Sequence, residues 1–323
     1  MKPSACLIFN PVAGQGNSEE DLETIRAILE PEIDLDIQLT SPEVDADQLA
    51  AQAVERKVQM VIACGGDGTL SAVAAALVGT DIPLGIIPRG TANAFAAALE
   101  HPNTLEAACQ TILGGKKRQV DAAYCNGKPM LLLVGIGFEA ETVEKADRDT
   151  KSRFGVLAYI LAGLKQLREL EKFEVTIETE DKTIVVEAAA VTVANAAPPT
   201  SILAQGPAGI IVDDGLLDVT IIAPVTVAGA ITASYHLFRT ALQGDAAQRD
   251  DIGYLRARQL KISTTPPQKV VMDGELIGTT PIEIECVPKS LNILVPEIEE
   301  QVIPVAEKLE GLPGLIVELK PSE

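Results

Sequence analysis

The chain of 323 residues is long enough for two domains, and 47% of it is hydrophobic with no Trp, so aliphatic side chains must form the interior. Its formal net charge of -20 argues against a nucleic-acid partner, because phosphate backbones bind basic surfaces, and against attachment to an anionic membrane by charge alone. The five cysteines are scattered without a CxxC pair, which argues against a disulfide framework or a zinc site and fits a reducing cytoplasm.

The first 123 residues alternate strand and helix signals. Strands are predicted over Ala5–Phe9, Ile33–Leu39, Met60–Ala63 and Leu84–Ile87, and helices over Ser18–Leu29, Ala46–Glu55, Leu70–Val78, Thr91–Leu99 and Thr104–Leu113. Ser18 and Asp21 are placed to form a capping box at the start of the first helix. Strands that alternate with helices over short loops predict an α/β domain with a doubly wound, mostly parallel sheet.

From residue 124 to about 296 the segments are short, closely spaced and rich in β-branched residues. Strands are predicted over Lys128–Val134, Phe173–Glu180, Thr183–Val193, Leu217–Ile222, Gln259–Ser263, Lys269–Met272, Ile282–Cys286 and Leu291–Val295, with long helices only at Phe154–Leu170 and Val227–Leu242. This pattern indicates an antiparallel, sandwich-like second domain. Residues 297–323 form an acidic tail that we expect to pack back on the first domain.

No segment is predicted to span a membrane. The N-terminal Met1-Lys2-Pro3 leads directly into a strand and lacks the layout of a signal peptide. The uncharged stretch from Val219 to Phe238 is divided by Pro224, which favours a strand followed by an amphipathic helix over one spanning helix. We therefore expect a cytoplasmic protein.

A glycine turn, Gly65-Gly66-Asp67-Gly68-Thr69, follows a buried strand and precedes a helix. Backbone N–H groups at a helix N-terminus attract anions, and glycines allow a phosphate to approach the backbone closely. Asp67 fits such a site if it meets phosphates through Mg²⁺ or takes a proton from an attacking hydroxyl. An Asp that merely caps the helix explains the same residues.

Two more glycine turns are predicted at the same edge of the sheet. Asn10 to Asn17 follows the first strand, and Gly90 to Asn93 follows the fourth. The carboxyl ends of parallel strands are where open α/β sheets bind ligands. Three such turns together favour a phosphate site over three independent helix caps.

The second domain has two acidic turns. Asp213-Asp214-Gly215-Leu216-Leu217-Asp218 places three acids in six residues before a strand, which could hold a hard cation or could be a solvated Asp-Gly turn. Asp273-Gly274-Glu275 follows the apolar strand end at Met272 and by itself indicates a hairpin turn.

Taken in order, these motifs resemble the diacylglycerol kinase catalytic family, and within it the bacterial lipid kinases of the YegS type. The resemblance runs from Asn10 to about Pro296. The matching motifs are Asn-Pro-x-x-Gly at 10–14, Gly-Gly-Asp-Gly-Thr at 65–69, Pro-x-Gly-Thr-Ala-Asn at 88–93, Val120-Asp121, Gly135-Ile-Gly-Phe138, Asp213 to Asp218 and Asp273-Gly-Glu275. The family usually continues the third motif with Asp-Phe, where this chain has Ala94-Phe95.

The resemblance also implies which residues bind ATP, which take part in catalysis and which hold a metal ion. It implies that ATP lies in the cleft between the domains, lined by Asn10, Thr40, Gly65, Gly66, Asp67, Gly68, Thr69, Leu70, Ser71 and Thr91. It places the proton acceptor at Glu275, with Asp67 and Asp273 in the catalytic set, and assigns Asp67 and Asp121 to an acidic network around Mg²⁺. A metal site would use Asp214 with the backbone carbonyls of Ile211 and Leu216.

The function implied is a Mg²⁺-dependent lipid kinase that uses ATP and meets a lipid substrate at the membrane surface by peripheral contact. A homodimer is left open. Two other functions stay open. An enzyme similar to NAD kinases carries a comparable glycine turn, and a nucleotide-binding regulatory protein with weak catalysis would be compatible with Ala94.

Overall fold

A computed structural model describes residues 2–14, 16–137, 172–198, 201, 210–223, 249–297 and 306–321 of the chain. The helices predicted at Phe154–Leu170 and Val227–Leu242 lie outside these residues. Within the described residues no helix is both long enough and apolar enough to cross a membrane.

Among the described residues, the strands and helices alternate at first, and all the elements after α5 are strands. They are β1 (Ser4–Phe9), α1 (Ser18–Leu29), β2 (Asp34–Leu39), α2 (Ala46–Glu55), β3 (Met60–Gly65), α3 (Asp67–Leu77), β4 (Leu84–Pro88), α4 (Ala94–Ala98), α5 (Leu105–Gly114), β5 (Lys116–Cys125), β6 (Lys128–Met130), β7 (Leu133–Gly137), β8 (Phe173–Glu178), β9 (Lys182–Ala188), β10 (Ala190–Ala194), β11 (Leu217–Ile222), β12 (Ile252–Ala257), β13 (Gln259–Thr265), β14 (Lys269–Met272), β15 (Glu275–Thr279), β16 (Ile282–Val295) and β17 (Ile316–Leu319).

The chain divides into two compact units. The first comprises Met1–Ala122 and Pro288–Glu300, and the second comprises Ala123–Val287 and Gln301–Glu323. The sequence interpretation did not foresee that residues 288–300 would join the first unit. They do so because the end of β16 lies parallel to β4, where Ile293 pairs with Leu84.

The first unit is the predicted doubly wound α/β domain. Its strands follow the order β16, β4, β3, β1, β2, and each neighbouring pair in this order is parallel. Helices α1 and α5 pack against each other, and so do α2 and α3. Strands β1, β3 and β4 are buried along nearly their whole length, as expected for parallel strands covered on both faces. The carboxyl ends of these three neighbouring strands therefore lie side by side.

The N-cap of the first helix is one residue earlier than the sequence suggested. Asn17, not Ser18, is the N-cap, and its side-chain oxygen accepts a hydrogen bond from the N–H of Glu19 at 3.1 Å. Acidic residues fill the first turn of α1, where their negative charges interact favourably with the positive end of the helix dipole. The helix that carries Asp21 is thus fixed directly after the first glycine turn.

The second unit is a sandwich of antiparallel strands, as predicted. One sheet has the order β12, β11, β10, β7, β14, β15, and strands of the other pair in the order β17, β9, β8, β13, β16. Their inward side chains share one apolar core, which includes Val193 and Val219 from the first sheet and Ile177 and Ile262 from the second. This packing positions the Asp213–Asp218 and Asp273–Glu275 turns at strand ends.

Several boundaries differ from the sequence prediction. The predicted strand Lys128–Val134 is divided into β6 and β7, and Thr183–Val193 is divided into β9 and β10. The two strands predicted on either side of Pro288 form one continuous β16.

The tail also differs from the expectation that it packs on the first domain. Its described residues 306–321 make contacts in the second unit, where β17 pairs with β9 and Leu312 lies against Gly253.

Candidate active site

The three glycine turns of the first unit converge at one edge of its sheet. Asn10, after β1, donates a hydrogen bond from Nδ2 to Oγ1 of Thr69 at 3.0 Å. Gly66, after β3, and Gly90, after β4, contact each other through their backbones, because a Cβ built on Gly90 would lie 2.6 Å from the Gly66 Cα. The predicted convergence is therefore present, and glycine is required where the two turns meet.

The Gly65–Thr69 turn leads from β3 into α3, and Gly68 is its one exposed residue. A Cβ on Gly65 would lie 2.6 Å from Oγ1 of Thr69, so the strand must end in glycine. Gly68 is exposed and has open space around it, whereas the side chains of Thr69 and Leu70 are buried. Leu70 can therefore serve a ligand only through its backbone, and Gly68 offers an unobstructed approach to the first turn of the helix.

Asp67 is tied to the third turn. Its Oδ1 accepts a hydrogen bond from the N–H of Phe95 at 3.2 Å. The turn itself is closed by Asn93, which adopts φ 48 and accepts from the N–H of Gly90 at 2.7 Å. Thr91 is exposed at the tip of this turn, and the half-buried Ala94 begins α4. One carboxylate thus links two of the turns.

Arg89 is a site residue that the sequence interpretation overlooked. Its side chain is only 5% exposed and lies over the ring of Phe9, with Cζ 4.8 Å from the ring centroid. It contacts both the first glycine turn and α1. The signal was the charged residue at the variable position of the Pro-x-Gly-Thr motif.

A cavity of about 440 Å³ opens between the first and the third of these turns. Its lining includes Gly14, Gly16, Asp21, Arg89, Thr91 and Asn93. Polar and glycine residues dominate this lining, which suits an anionic ligand held by backbone groups better than an apolar one.

The remaining first-unit candidates, Thr40, Asp121 and Ser71, lie in three different settings. Thr40 follows β2, and its N–H donates to the carbonyl of Phe9 at 3.0 Å. Asp121 is 1% exposed, and its Oδ1 accepts from the N–H of Lys289 at 2.7 Å. Ser71 is half-buried in the first turns of α3.

In the second unit the Asp273-Gly274-Glu275 turn joins β14 to β15. The carboxylate of Asp273 accepts three backbone hydrogen bonds, from the N–H groups of Leu131, Leu132 and Leu133, at 2.9, 3.0 and 3.0 Å. Asp273 is therefore an anchor for the turn, since its oxygens are committed to the backbone. Glu275 is exposed.

The Asp213–Asp218 turn is organised around Arg256. Asp214 Oδ2 lies 2.8 Å from Nη1 of Arg256, and Asp214 Oδ1 accepts from the N–H of Leu216 at 3.0 Å. Asp218 is 2% exposed and accepts from the hydroxyl of Tyr254 at 2.6 Å, and burial raises the pKa of Asp218 to about 7.

The metal ligands implied by the resemblance fit this arrangement poorly. They are Ile211, Asp214, Leu216 and Asp121, of which Asp121 lies in the first unit and the others in the second. Both carboxylate oxygens of Asp214 already have partners, one of them a cation. In the part of the chain that the structure describes, no three His, Cys, Asp or Glu side chains are grouped as metal ligands.

Glycine turns at the carboxyl ends of parallel strands are a common phosphate-binding arrangement of α/β domains. The family model "Diacylglycerol kinase catalytic domain" matches residues 4–125, and "YegS C-terminal NAD kinase beta sandwich-like domain" matches residues 133–295. The chain belongs to the diacylglycerol kinase catalytic family, in its YegS-like branch.

Individual relatives match most of the chain. An uncharacterised protein of Synechocystis sp. is 52% identical over 301 residues, covering 90% of this chain and 70% of that protein. The diacylglycerol kinase of Bacillus subtilis is 28% identical over 299 residues, covering 91% and 96%. A crystal structure of a diacylglycerol kinase from Bacillus anthracis superposes with a TM-score of 0.70 at 25% identity, covering 90% and 96%.

Proposed function

We propose that the chain is an ATP-dependent lipid kinase that transfers the γ-phosphoryl group to a hydroxyl of a diacylglycerol-like lipid. The observation that carries this proposal is the direct contact of the Gly65–Thr69 turn with the two neighbouring turns, through Asn10 and Gly90. Such a set of turns offers backbone N–H groups to several phosphate oxygens at once. Membership in the diacylglycerol kinase catalytic family supports the reaction type.

In this proposal the first unit binds the nucleotide. The backbone of Gly65, Gly66, Gly68 and Thr69 holds the phosphates, while Asn10, Thr40, Ser71 and Thr91 line the rest of the site. ATP enters as its magnesium complex, and the ion neutralises phosphate charge. Asp67, held by the N–H of Phe95, and the buried Asp121 are the acids that this unit supplies.

The second unit supplies the proton acceptor. The lipid hydroxyl oxygen attacks the γ-phosphorus, the bond from that phosphorus to the β,γ-bridging oxygen breaks, and ADP leaves. The hydroxyl proton passes to Glu275, whose exposed carboxylate is placed by the anchored Asp273 turn.

A lipid acceptor is supported by the names of the relatives. Besides the Bacillus subtilis enzyme, a Xanthomonas campestris protein named "Probable lipid kinase YegS-like" is 30% identical over 301 residues, covering 90% of this chain and 95% of that protein. We propose that the chain meets its lipid by peripheral contact at the membrane surface.

The test is transfer of labelled phosphate from ATP to diacylglycerol, monoacylglycerol, phosphatidylglycerol, sphingosine and undecaprenol in mixed micelles, with NAD as a soluble acceptor. We expect labelled product with at least one lipid and none with NAD. Glu275→Gln should abolish transfer, whereas the exposed Glu285→Gln in the same unit should not.

Two results would count against the proposal. Labelling of NAD alone would favour a soluble nucleotide kinase. ATP binding without transfer to any lipid would favour a regulatory nucleotide-binding protein.

A further inference from the structure

The Asp213–Asp218 turn concentrates negative charge next to a buried acid. Asp214 is 22% exposed and Asp218 only 2% exposed, and both lie close to Arg256. Partly buried carboxylates need a positive partner, because burial removes the water that would otherwise solvate them. The question for this turn is which cation supplies that charge.

Arg256 is built into the turn by the sheet. Strands β11 and β12 are antiparallel neighbours, and their register pairs Asp218 directly with Arg256. From this position Nε lies 3.6 Å from Oδ1 of Asp218, and Nη1 reaches Oδ2 of Asp214 at 2.8 Å. Because the backbone pairing fixes its Cα, the guanidinium is directed to these carboxylates.

Tyr254 completes the arrangement. Its hydroxyl accepts from Nε of Arg256 and donates to Asp218, and Arg256 Cζ lies 5.9 Å from the centre of its ring. The Arg256 side chain is only 14% exposed. A guanidinium with a carboxylate on each side and a phenol beneath it is held much more firmly than an exposed surface pair.

We propose that Arg256 takes the place of a divalent cation at the Asp213–Asp218 turn, so that this chain stabilises the turn with a guanidinium and binds no Mg²⁺ or Ca²⁺ there. A cation entering at Asp214 would have to displace Arg256 from Oδ2 and would be repelled by it. The carbonyls of Ile211 and Leu216 are neutral ligands, and hard cations are held mainly by carboxylates.

In this role Arg256 stabilises the second unit and takes no part in the proposed kinase activity. This role is tested without nucleotide or lipid, so its failure leaves the assignment of the reaction untouched. Loss of kinase activity in a transfer assay would likewise leave this inference untouched.

The experiment compares unfolding midpoints in EDTA and in millimolar MgCl₂, CaCl₂ or MnCl₂ at matched ionic strength. The proteins are the wild type, Arg256→Gln, Arg256→Lys and Asp214→Asn. Arg249→Gln is the matched control, because Arg249 makes a two-nitrogen pair with Asp251 in the same unit, both contacts at 2.7 Å. Matched ionic strength is required because the chain carries a net charge of -20.

We expect the wild type and Asp214→Asn to respond equally to added cation. In EDTA, Arg256→Gln should unfold about 4–8 °C lower than the wild type, and millimolar cation should restore part of that loss. Arg256→Lys should fall between them, because it keeps the charge and loses the fork. Arg249→Gln should show no new response to cation.

A midpoint of the wild type that rises with cation, when that of Asp214→Asn does not, would overturn the proposal. So would saturable Mn²⁺ binding to the wild type in calorimetry that Asp214→Asn removes. The calorimetric comparison decides the matter even if Arg256→Gln does not fold.

Discussion

The guanidinium of Arg89 forms an ion pair with Asp21, in which Nε donates a hydrogen bond to Oδ2 at 2.9 Å and Nη2 lies 2.8 Å from the same oxygen. The remaining nitrogen, Nη1, donates to the carbonyl of Asn10 at 3.0 Å. A Cβ built on Gly14 would lie only 2.6 Å from the carbonyl oxygen of Arg89. Arg89, the residue just before the third glycine turn, therefore holds the first turn and α1 in place.

Replacing Arg89 should weaken nucleotide binding more than it slows the chemical step. Arg89→Lys keeps a charge but cannot contact Asp21 and Asn10 together, so the first turn should shift. We expect KM for ATP to rise about 10–100-fold, with a smaller change in kcat. Steady-state kinetics with a lipid that the transfer assay shows to be an acceptor would measure both.

The control for this variant is Arg26→Lys. Arg26 lies on α1, the helix that carries Asp21, and pairs with Glu30 at 3.7 Å, but both side chains are about half exposed. This variant should keep the wild-type KM. If Arg89→Lys does too, Arg89 does not position the nucleotide turn.

Asp273 and Glu275 should give different losses when each carboxylate becomes an amide. The carboxylate of Asp273 accepts hydrogen bonds from three backbone N–H groups, and the amide in Asp273→Asn keeps only one of its two oxygens. We therefore expect this substitution to lower the free energy of unfolding by about 1–3 kcal/mol. Glu275→Gln should leave the unfolding midpoint unchanged and remove phosphoryl transfer. Thermal unfolding and transfer assays on both variants separate the two roles, and equal unfolding midpoints would contradict the anchoring role of Asp273.

The sequence predicts what is local and misses what joins distant residues. The glycine turns and alternating elements of the first unit follow from spacing over a few residues, so they could be predicted. The Arg89–Asp21 and Arg256–Asp214 pairs join residues 68 and 42 positions apart, and nothing in a single sequence links them.

The prediction of some strand boundaries was wrong for a related reason. β16 runs through Pro288 and through Lys289, which has φ 49, because its two halves pair with different neighbours. A local pattern records the interruption but not the pairing on either side of it. Strand β5 begins with polar, partly exposed residues, so the run of apolar residues by which a strand is predicted is weak there.

The contact between Gly66 and Gly90 predicts that Gly90→Ala separates the two turns. The added Cβ would meet the Gly66 Cα at 2.6 Å and Oδ1 of Asn93 at 2.8 Å, and backbone at that distance must move. We expect binding of ATP to weaken about 10-fold or more. Gly114→Ala is the matched control, since a Cβ there meets nothing within 4 Å, and titration calorimetry with an ATP analogue should show wild-type affinity.

Acid should destabilise the first unit through His101. The residue is 7% exposed, and burial lowers the pKa of its imidazole, against the smaller opposing effect of the Pro102 and Leu294 backbone. Between this lowered pKa and the unfolded value of about 6.5, the unfolded chain binds more protons than the native one. The stability due to neutral His101 is therefore fully present above about pH 6.5 and is lost as pH falls toward the native pKa.

His101→Gln removes this titration, so the difference in unfolding free energy between wild type and variant should shrink or change sign as pH falls from 7.5 to 5.5. Each unit by which the native pKa is lowered corresponds to about 1.4 kcal/mol of that change. Comparing the two proteins at each pH cancels the contribution of Asp218, whose raised pKa acts in the opposite sense because it favours the native state as pH falls. A difference that stays constant over this range would show that His101 does not titrate between the native and unfolded states.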